Sequence, residues 1–385
     1  VIRLLILAAA MIGACANAPS AIAQDVSFSE TERAAILRFG PWPPLPSTDA
    51  SNRVSGDEKA IRLGLQLFND PRLSPSGRVA CASCHQPEQA FADGRPVAIG
   101  VAKGVRNTPS LLDTGFSRWF GWAGANDTLW GASIRPITAA AEMASAAEHV
   151  QTLITTDTKL AAAFTQTFGA SAKAMGAEPA LMAVGKALAA YQETLISKRT
   201  SFDQFRDALA AGDTTGTSKY ADSAKRGLKL FIGEGRCSLC HLGPRFTNGE
   251  FDDIGIPFFT GPGKVDKGRY AGIQYFKKSA FTRLGAYSDD PAGKDSPAAI
   301  PSHHVALQGR AFGSFKVPSL RGVQETAPYM HNGTLNTLPE VIDHYSKMDQ
   351  DRLHIDDAAI LRPLNLTPQQ ALDLEAFLRS LSPTK

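Results

Sequence analysis

The sequence is poor in several features that would otherwise direct its reading. Past its first two dozen residues it has no apolar run long enough to cross a bilayer, which argues against a membrane-spanning body. It has no charge excess either. Lys and Arg number 40 against 37 Asp and Glu, and the resulting +3 gives no composition-level sign of nucleic-acid binding. Cysteine is scarce, five in 385 residues, so each must be explained by its own position. Histidine is missing altogether between His85 and His149. Against these absences, 43% hydrophobic and 20% charged residues are ordinary for a folded protein, and the length favours two domains over one.

Residues 1–23 differ from the rest. Arg3 precedes the apolar run Leu4–Ala10, and small residues lead to Ala21-Ile22-Ala23, the pattern of a secretory signal peptide with an AxA cleavage site. Export to the periplasm is expected, with the mature chain starting near Gln24. Ile12-Gly13-Ala14-Cys15 offers a second reading, a lipobox that would leave Cys15 lipidated and the protein tethered to a membrane.

The other four cysteines form two pairs, each followed at once by histidine: Cys81-Ala82-Ser83-Cys84-His85 and Cys237-Ser238-Leu239-Cys240-His241. At this spacing two thiols bond the vinyl groups of a heme and the adjacent histidine binds its iron, so both segments read as heme c attachment sites. A disulfide, a redox pair and a zinc site are the competing readings. A redox pair has no need of the following histidine, zinc wants four converging ligands, and exported disulfides rarely sit so close in sequence.

The text before each motif repeats: Gly64-Leu65-Gln66-Leu67-Phe68 and Gly227-Leu228-Lys229-Leu230-Phe231, both in helical patterns. A heme unit duplicated and then diverged explains this. Ala210–Ser218 is small and polar and reads as the boundary, giving domains over 24–215 and 216–385. Helical periodicity also marks Ser171–Ser197, Leu338–Lys347 and Thr367–Leu381, the last with an N-cap threonine followed by proline. With 33 Gly and 24 Pro, the expected fold is mainly α: two cytochrome c-like heme domains with long irregular connections.

Several phrases resemble the bacterial diheme cytochrome c peroxidases, and within them the MauG-like branch. They are Leu67-Phe68-Asn69-Asp70-Pro71-Arg72-Leu73-Ser74, Phe91-Ala92-Asp93-Gly94-Arg95, Arg106-Asn107-Thr108-Pro109, Val317-Pro318-Ser319-Leu320-Arg321 and Thr326-Ala327-Pro328-Tyr329-Met330-His331-Asn332-Gly333. The resemblance spans nearly the whole mature chain. It implies that peroxide reacts at the first heme and that the second exchanges electrons with the outside.

The resemblance also implies roles for single residues. Ordinary members supply a removable distal histidine to the first heme, and the matching position falls near Val101, so this heme is expected to be open. Where they place a methionine on the second heme iron, fourteen residues after His331, this chain has Tyr345. A tyrosine there marks the MauG-like branch, and a phenolate favours oxidised iron. The rivals are His344, Met348 and a purely interfacial Tyr345. Glu142 matches the distal acid that moves a proton during peroxide cleavage, and Pro136 matches the proline over the open heme face. The family's distal glutamine falls on Ala132. Trp122 matches the tryptophan between the hemes, whereas Trp119 and Trp130 read as core residues. Asn107, Thr326 and Pro328 match the ligands of one calcium ion.

Three functions follow from the resemblance: peroxide-driven oxidation, through a high-valent diheme state, of a tryptophan or tyrosine on a partner protein; reduction of peroxide with electrons from a small cytochrome or cupredoxin; or electron carriage alone. The first is favoured by Val101 and Tyr345. The stretches Trp119–Pro136 and Asn248–Gly255 are more similar to the MbnH type than to MauG itself, which would imply a small copper-binding partner. MauG's exit tryptophan falls on Gly235.

Overall fold

The duplicated phrase ahead of each CxxCH lies on an amphipathic helix, Glu58–Phe68 in the first unit and Asp222–Ile232 in the second. The computed structural model describes residues 26–45, 48–257, 259–353 and 361–383; the signal segment and Cys15 lie outside the described residues. Leu63, Leu67 and Phe68 of the first helix, and Leu228 and Phe231 of the second, are fully buried. Each helix packs chiefly on one partner, Ala177–Gln192 for the first and Pro368–Arg379 for the second. The backbones approach closely because both phrases open on glycine. A Cβ at Gly64 would overlap the carbonyl oxygen of Ala187, and one at Gly227 that of Asp373. The sequence repeat therefore encodes one helix crossing made twice.

The chain is mostly helical, as expected, with long connections between helices. Among the described residues, strands are confined to two short antiparallel pairs, Phe251–Asp252 with Phe315–Lys316 and Phe259–Gly261 with Lys264–Val265. Thr367 caps Pro368–Arg379 in a reciprocal box with Gln370, as its Thr-Pro start suggests. The periodic stretch 171–197 is divided: Gly176, with φ +89°, separates Ala172–Met175 from Ala177–Gln192. The expected boundary segment at 210–218 is largely helical. Gly212 closes Ser201–Ala211 in the left-handed conformation, and Asp213 caps Thr214–Ser218 through the amide of Gly216.

Two hydrophobic cores form, but they do not divide at residue 215. The first is built around Leu67, Trp130, Ile134, Phe164 and Val184, with Phe281 and Tyr287 from the second half packed against it. The second joins Ile36, Phe39, Phe202 and Phe205, from before the expected boundary, to Leu228, Phe231, Phe246 and Phe377. Burying each of these phenylalanines is worth about 2 kcal/mol wherever it lies in the chain, and composition around 215 carries no trace of which core wins. The crossover is pinned by Asp203 and Arg321, a bidentate pair at 2.8 and 3.0 Å that is almost wholly buried, with the guanidinium over Trp42 at 3.8 Å.

Candidate active site

Cys81–Cys84 makes one helical turn and Cys237–Leu239 a 3-10 turn, and neither cysteine pair is closed as a disulfide. In both units the histidine is oriented in the same way. Nδ1 of His85 lies 2.9 Å from the carbonyl oxygen of Phe91, and Nδ1 of His241 lies 2.9 Å from that of Phe246. A carbonyl only accepts, so Nδ1 carries the proton and Nε2 keeps its lone pair for a metal. Both phenylalanines hold left-handed backbone, φ +58° and +54°, at a cost of about 1–2 kcal/mol each. Burial pushes the pKa of both histidines down, which favours the neutral ring a metal requires.

Burial pushes the thiols of Cys81, Cys237 and Cys240 up to about 12 and raises Cys84 as well. They are therefore not preformed thiolate ligands. Among the described residues the cysteines, histidines and carboxylates form no cluster of three or more that could hold a metal ion. Two separate sets of paired thiols plus one oriented imidazole fit two covalently held hemes and do not fit zinc.

At the first motif, Pro136 lies within the helix Leu129–Thr138 and its carbonyl accepts from the amide of Met143 at 3.1 Å, folding the chain back so that Glu142 follows closely. The negative charge of Glu142 bears on Cys81, Cys84 and His85. Its carboxylate pairs with Arg135 at 2.7 Å, and its carbonyl accepts from the amide of Val101 at 2.8 Å. Backbone hydrogen bonds thus link the segments that carry Val101, Pro136 and Glu142. Ala132 is half-buried against the first core.

At the second motif, Tyr345 on Leu338–Ser346 lies within electrostatic reach of Cys237, Cys240 and Asp252, whose influence comes after the larger effect of burial. Together they hold the phenol above the usual tyrosine range. Nε2 of His344 instead donates to the carbonyl of Ile254 at 2.8 Å, and Met348 is buried.

Between the units, Nε1 of Trp122 donates to the carbonyl of Asn107 at 2.9 Å. The amide of Asn107 donates to the carbonyl of His331 at 2.8 Å, which ties it to the segment carrying Thr326 and Pro328. Its Nδ2 donates to the carbonyl of Arg95 at 2.8 Å, so Oδ1 remains an acceptor. Trp130 is fully buried and bonded to Ser51, a core residue as expected. Gly235 sits where a Cβ would meet the carbonyl of Leu230.

Sequence reasoning also missed residues at these sites. Nζ of Lys316 donates to the carbonyl of Trp119 at 2.7 Å, its amide donates to the carbonyl of Trp122 at 2.8 Å, and burial pushes its amine down to about 7. Arg135 and the carbonyls of Phe91 and Phe246 complete the set. Each acts through a contact that no local pattern announces.

Residues 58–211 match the family model described as Di-haem cytochrome c peroxidase. The chain is 34% identical to the methylamine utilization protein MauG of Methylorubrum extorquens over 83% of its own length and 77% of that protein. It is 32% identical to the cytochrome-c peroxidase IdrP1 of Denitromonas iodatirespirans over 100% of its length and 94% of the relative. A solved MauG-like protein associated with microbial copper homeostasis superposes with TM-score 0.61 at 28% identity, covering 89% of this chain and 96% of the other. The diheme peroxidase BthA from Burkholderia thailandensis, at TM-score 0.68 and 22% identity over 88% and 87% of the chains, shares the fold. Among the described residues no helix is long and apolar enough to cross a membrane.

Proposed function

The chain belongs to the diheme cytochrome c peroxidase family, in its MauG-like branch, and from that premise we propose that it uses hydrogen peroxide to oxidise a tryptophan or tyrosine side chain of a partner protein. The observation that carries the reading is Tyr345, within electrostatic reach of Cys237 and Cys240, while His344 is committed to the carbonyl of Ile254. A tyrosine ligand would bias the second heme toward oxidised states, where an ordinary methionine-bearing peroxidase stores an electron.

Bound through Cys81, Cys84 and His85, and through Cys237, Cys240, His241 and Tyr345, two hemes c supply the redox chemistry. The protein supplies protons and position. Glu142, paired with Arg135, relays a proton between the two oxygens of peroxide. Pro136 and the loop at Val101 shape the approach beside it. Trp122 lies on the route between the hemes, its indole fixed by Asn107. Calcium binding by Asn107 Oδ1 and the carbonyls of Thr326 and Pro328 would stiffen that junction, in keeping with hard oxygen donors.

The site of action would be the periplasm, reached through the signal at 1–23. A small copper-binding protein is the partner we favour, because the solved MauG-like relative is associated with copper homeostasis. The second reading, a peroxidase fed by a small cytochrome or cupredoxin, is favoured by the IdrP1 likeness.

Resonance Raman and magnetic circular dichroism of the resting holoprotein test the proposal. A tyrosinate-to-iron band that Tyr345→Phe abolishes is the expected result. A histidine–methionine pattern at the second heme would overturn it and leave the peroxidase reading.

A further inference from the structure

Two tryptophans, Trp119 and Trp122, stand near each other between the units, and the structure treats them differently. Trp119 is almost fully buried and carries Arg269 on its ring, with the guanidinium carbon 4.0 Å from the ring centroid. The same guanidinium lies 4.1 Å from the ring of Phe251. Nη1 of Arg269 donates to the carbonyls of Gly124 and Ala123 at 2.5 and 3.4 Å. Among the described residues no carboxylate lies within ion-pair distance of it; Glu250, whose charge it feels, is paired with Arg118. Burial pushes its pKa down to about 10, which still leaves it charged at neutral pH.

The sandwich is built into the backbone. Gly124 has φ +57°, and a Cβ there would overlap both Phe251 and Arg269. A Cβ at Gly272, one turn along the helix Arg269–Phe276, would overlap the carbonyl of Ala123. Both glycines let the cation seat on the indole.

A cation on an indole face stabilises the neutral ring and opposes removal of an electron from it. Trp122 has no such partner on its ring among the described residues, and its N–H faces the carbonyl oxygen of Asn107. We infer that Arg269 is a positioning residue that keeps oxidising equivalents off Trp119 and confines them to Trp122. One electron leaves the Trp122 indole for the peroxide-oxidised heme pair. Each is replaced from the partner's side chain or, with no partner present, leaves Trp122 itself oxidised; two such electrons, with two protons, reduce one hydrogen peroxide to two waters. The inference rests on the function proposed above for the source of oxidant only.

The test compares the holoprotein with Arg269→Met, which removes the charge, and Arg269→Lys, which keeps it. Ultraviolet resonance Raman of the resting protein reads the cation–indole contact without turnover; it is expected in the unaltered protein and in Arg269→Lys and lost in Arg269→Met. Oxidised tryptophans are then mapped by peptide mass spectrometry after stoichiometric peroxide, and separately after an outer-sphere photo-oxidant. With either oxidant, Arg269→Met is expected to raise oxidation of Trp119 relative to Trp122 roughly tenfold, and Arg269→Lys to restore the original partition. Should Arg269→Met not fold, Trp119→Phe serves, and is expected to leave the peroxide-dependent loss of both ferric signals unchanged. Equal oxidation of the two tryptophans in the unaltered protein, an unchanged partition in Arg269→Met, or an effect of Trp119→Phe overturns the inference. A partition seen with the photo-oxidant but no reaction with peroxide would sink the proposed function and leave this inference standing.

Discussion

Trp122 donates its indole N–H to the main-chain carbonyl of Asn107 at 2.9 Å, so the tryptophan between the units and the side chain matched to calcium binding hang on a single residue. Asn107 is itself held by His331 and Arg95.

Removal of calcium should therefore be felt at Trp122. After treatment with a chelator, peroxide is expected to bleach the first ferric heme while the loss of the second lags, and added calcium should restore simultaneous loss. Metal analysis of the untreated protein accompanies the experiment. Simultaneous loss in calcium-free protein would separate the ion from the route.

Glu142 and Arg135 give a prediction in which reactivity and stability part company. Both side chains are more than a third exposed, so their ion pair contributes at most ~1 kcal/mol to folding. Glu142→Gln should leave the melting temperature nearly unchanged yet slow the first reaction with peroxide by about 10²–10⁴ in stopped flow, the usual worth of a positioned proton carrier. A rate within a few-fold of the original would remove Glu142 from the chemistry.

Gly64 and Gly227 test the duplicated crossing. Ala is favoured over Gly in a helix by about 1 kcal/mol, but here the added methyl meets a partner carbonyl. Gly64→Ala and Gly227→Ala should each destabilise by roughly 1–3 kcal/mol in urea unfolding. A stabilised variant would show that the helices have room to part.

Much of this arrangement was legible in the sequence, and the reason is locality. The CxxCH motifs, the repeated Gly-Leu-x-Leu-Phe phrase and the Thr-Pro helix start are encoded within a few residues, and all lie where the sequence predicts. What the sequence hid acts at a distance. Phe39 and Phe202 cross into the second core, Arg269 reaches Trp119 across some 150 positions, and Lys316 bonds Trp119 from still farther. Phe91 and Phe246 were hidden for another reason: phenylalanine has no preference for left-handed backbone, yet both adopt it where their carbonyls accept from a histidine.

Glu193 supplies a pH dependence. Burial pushes its carboxyl up to about 7, and the hydroxyl of Ser55 donates to it at 2.7 Å. Between its unfolded value of 4.5 and about 7 the folded state binds the extra proton, so stability falls as pH rises through that window. The loss should reach roughly 3 kcal/mol, and Glu193→Gln should abolish it, raising the melting temperature at pH 8 but not at pH 4. Equal shifts at both pH values would assign the effect to packing.

The most direct measurement of the proposed chemistry is a titration of the fully ferric protein with stoichiometric peroxide, without prior reduction, following both hemes by absorption and electron paramagnetic resonance. Simultaneous loss of both ferric signals into a long-lived oxidised state is the expected result, with Val101, Trp122 and Tyr345 acting as a unit. No reaction until one heme has been reduced would contradict it and return the protein to the ordinary peroxidases.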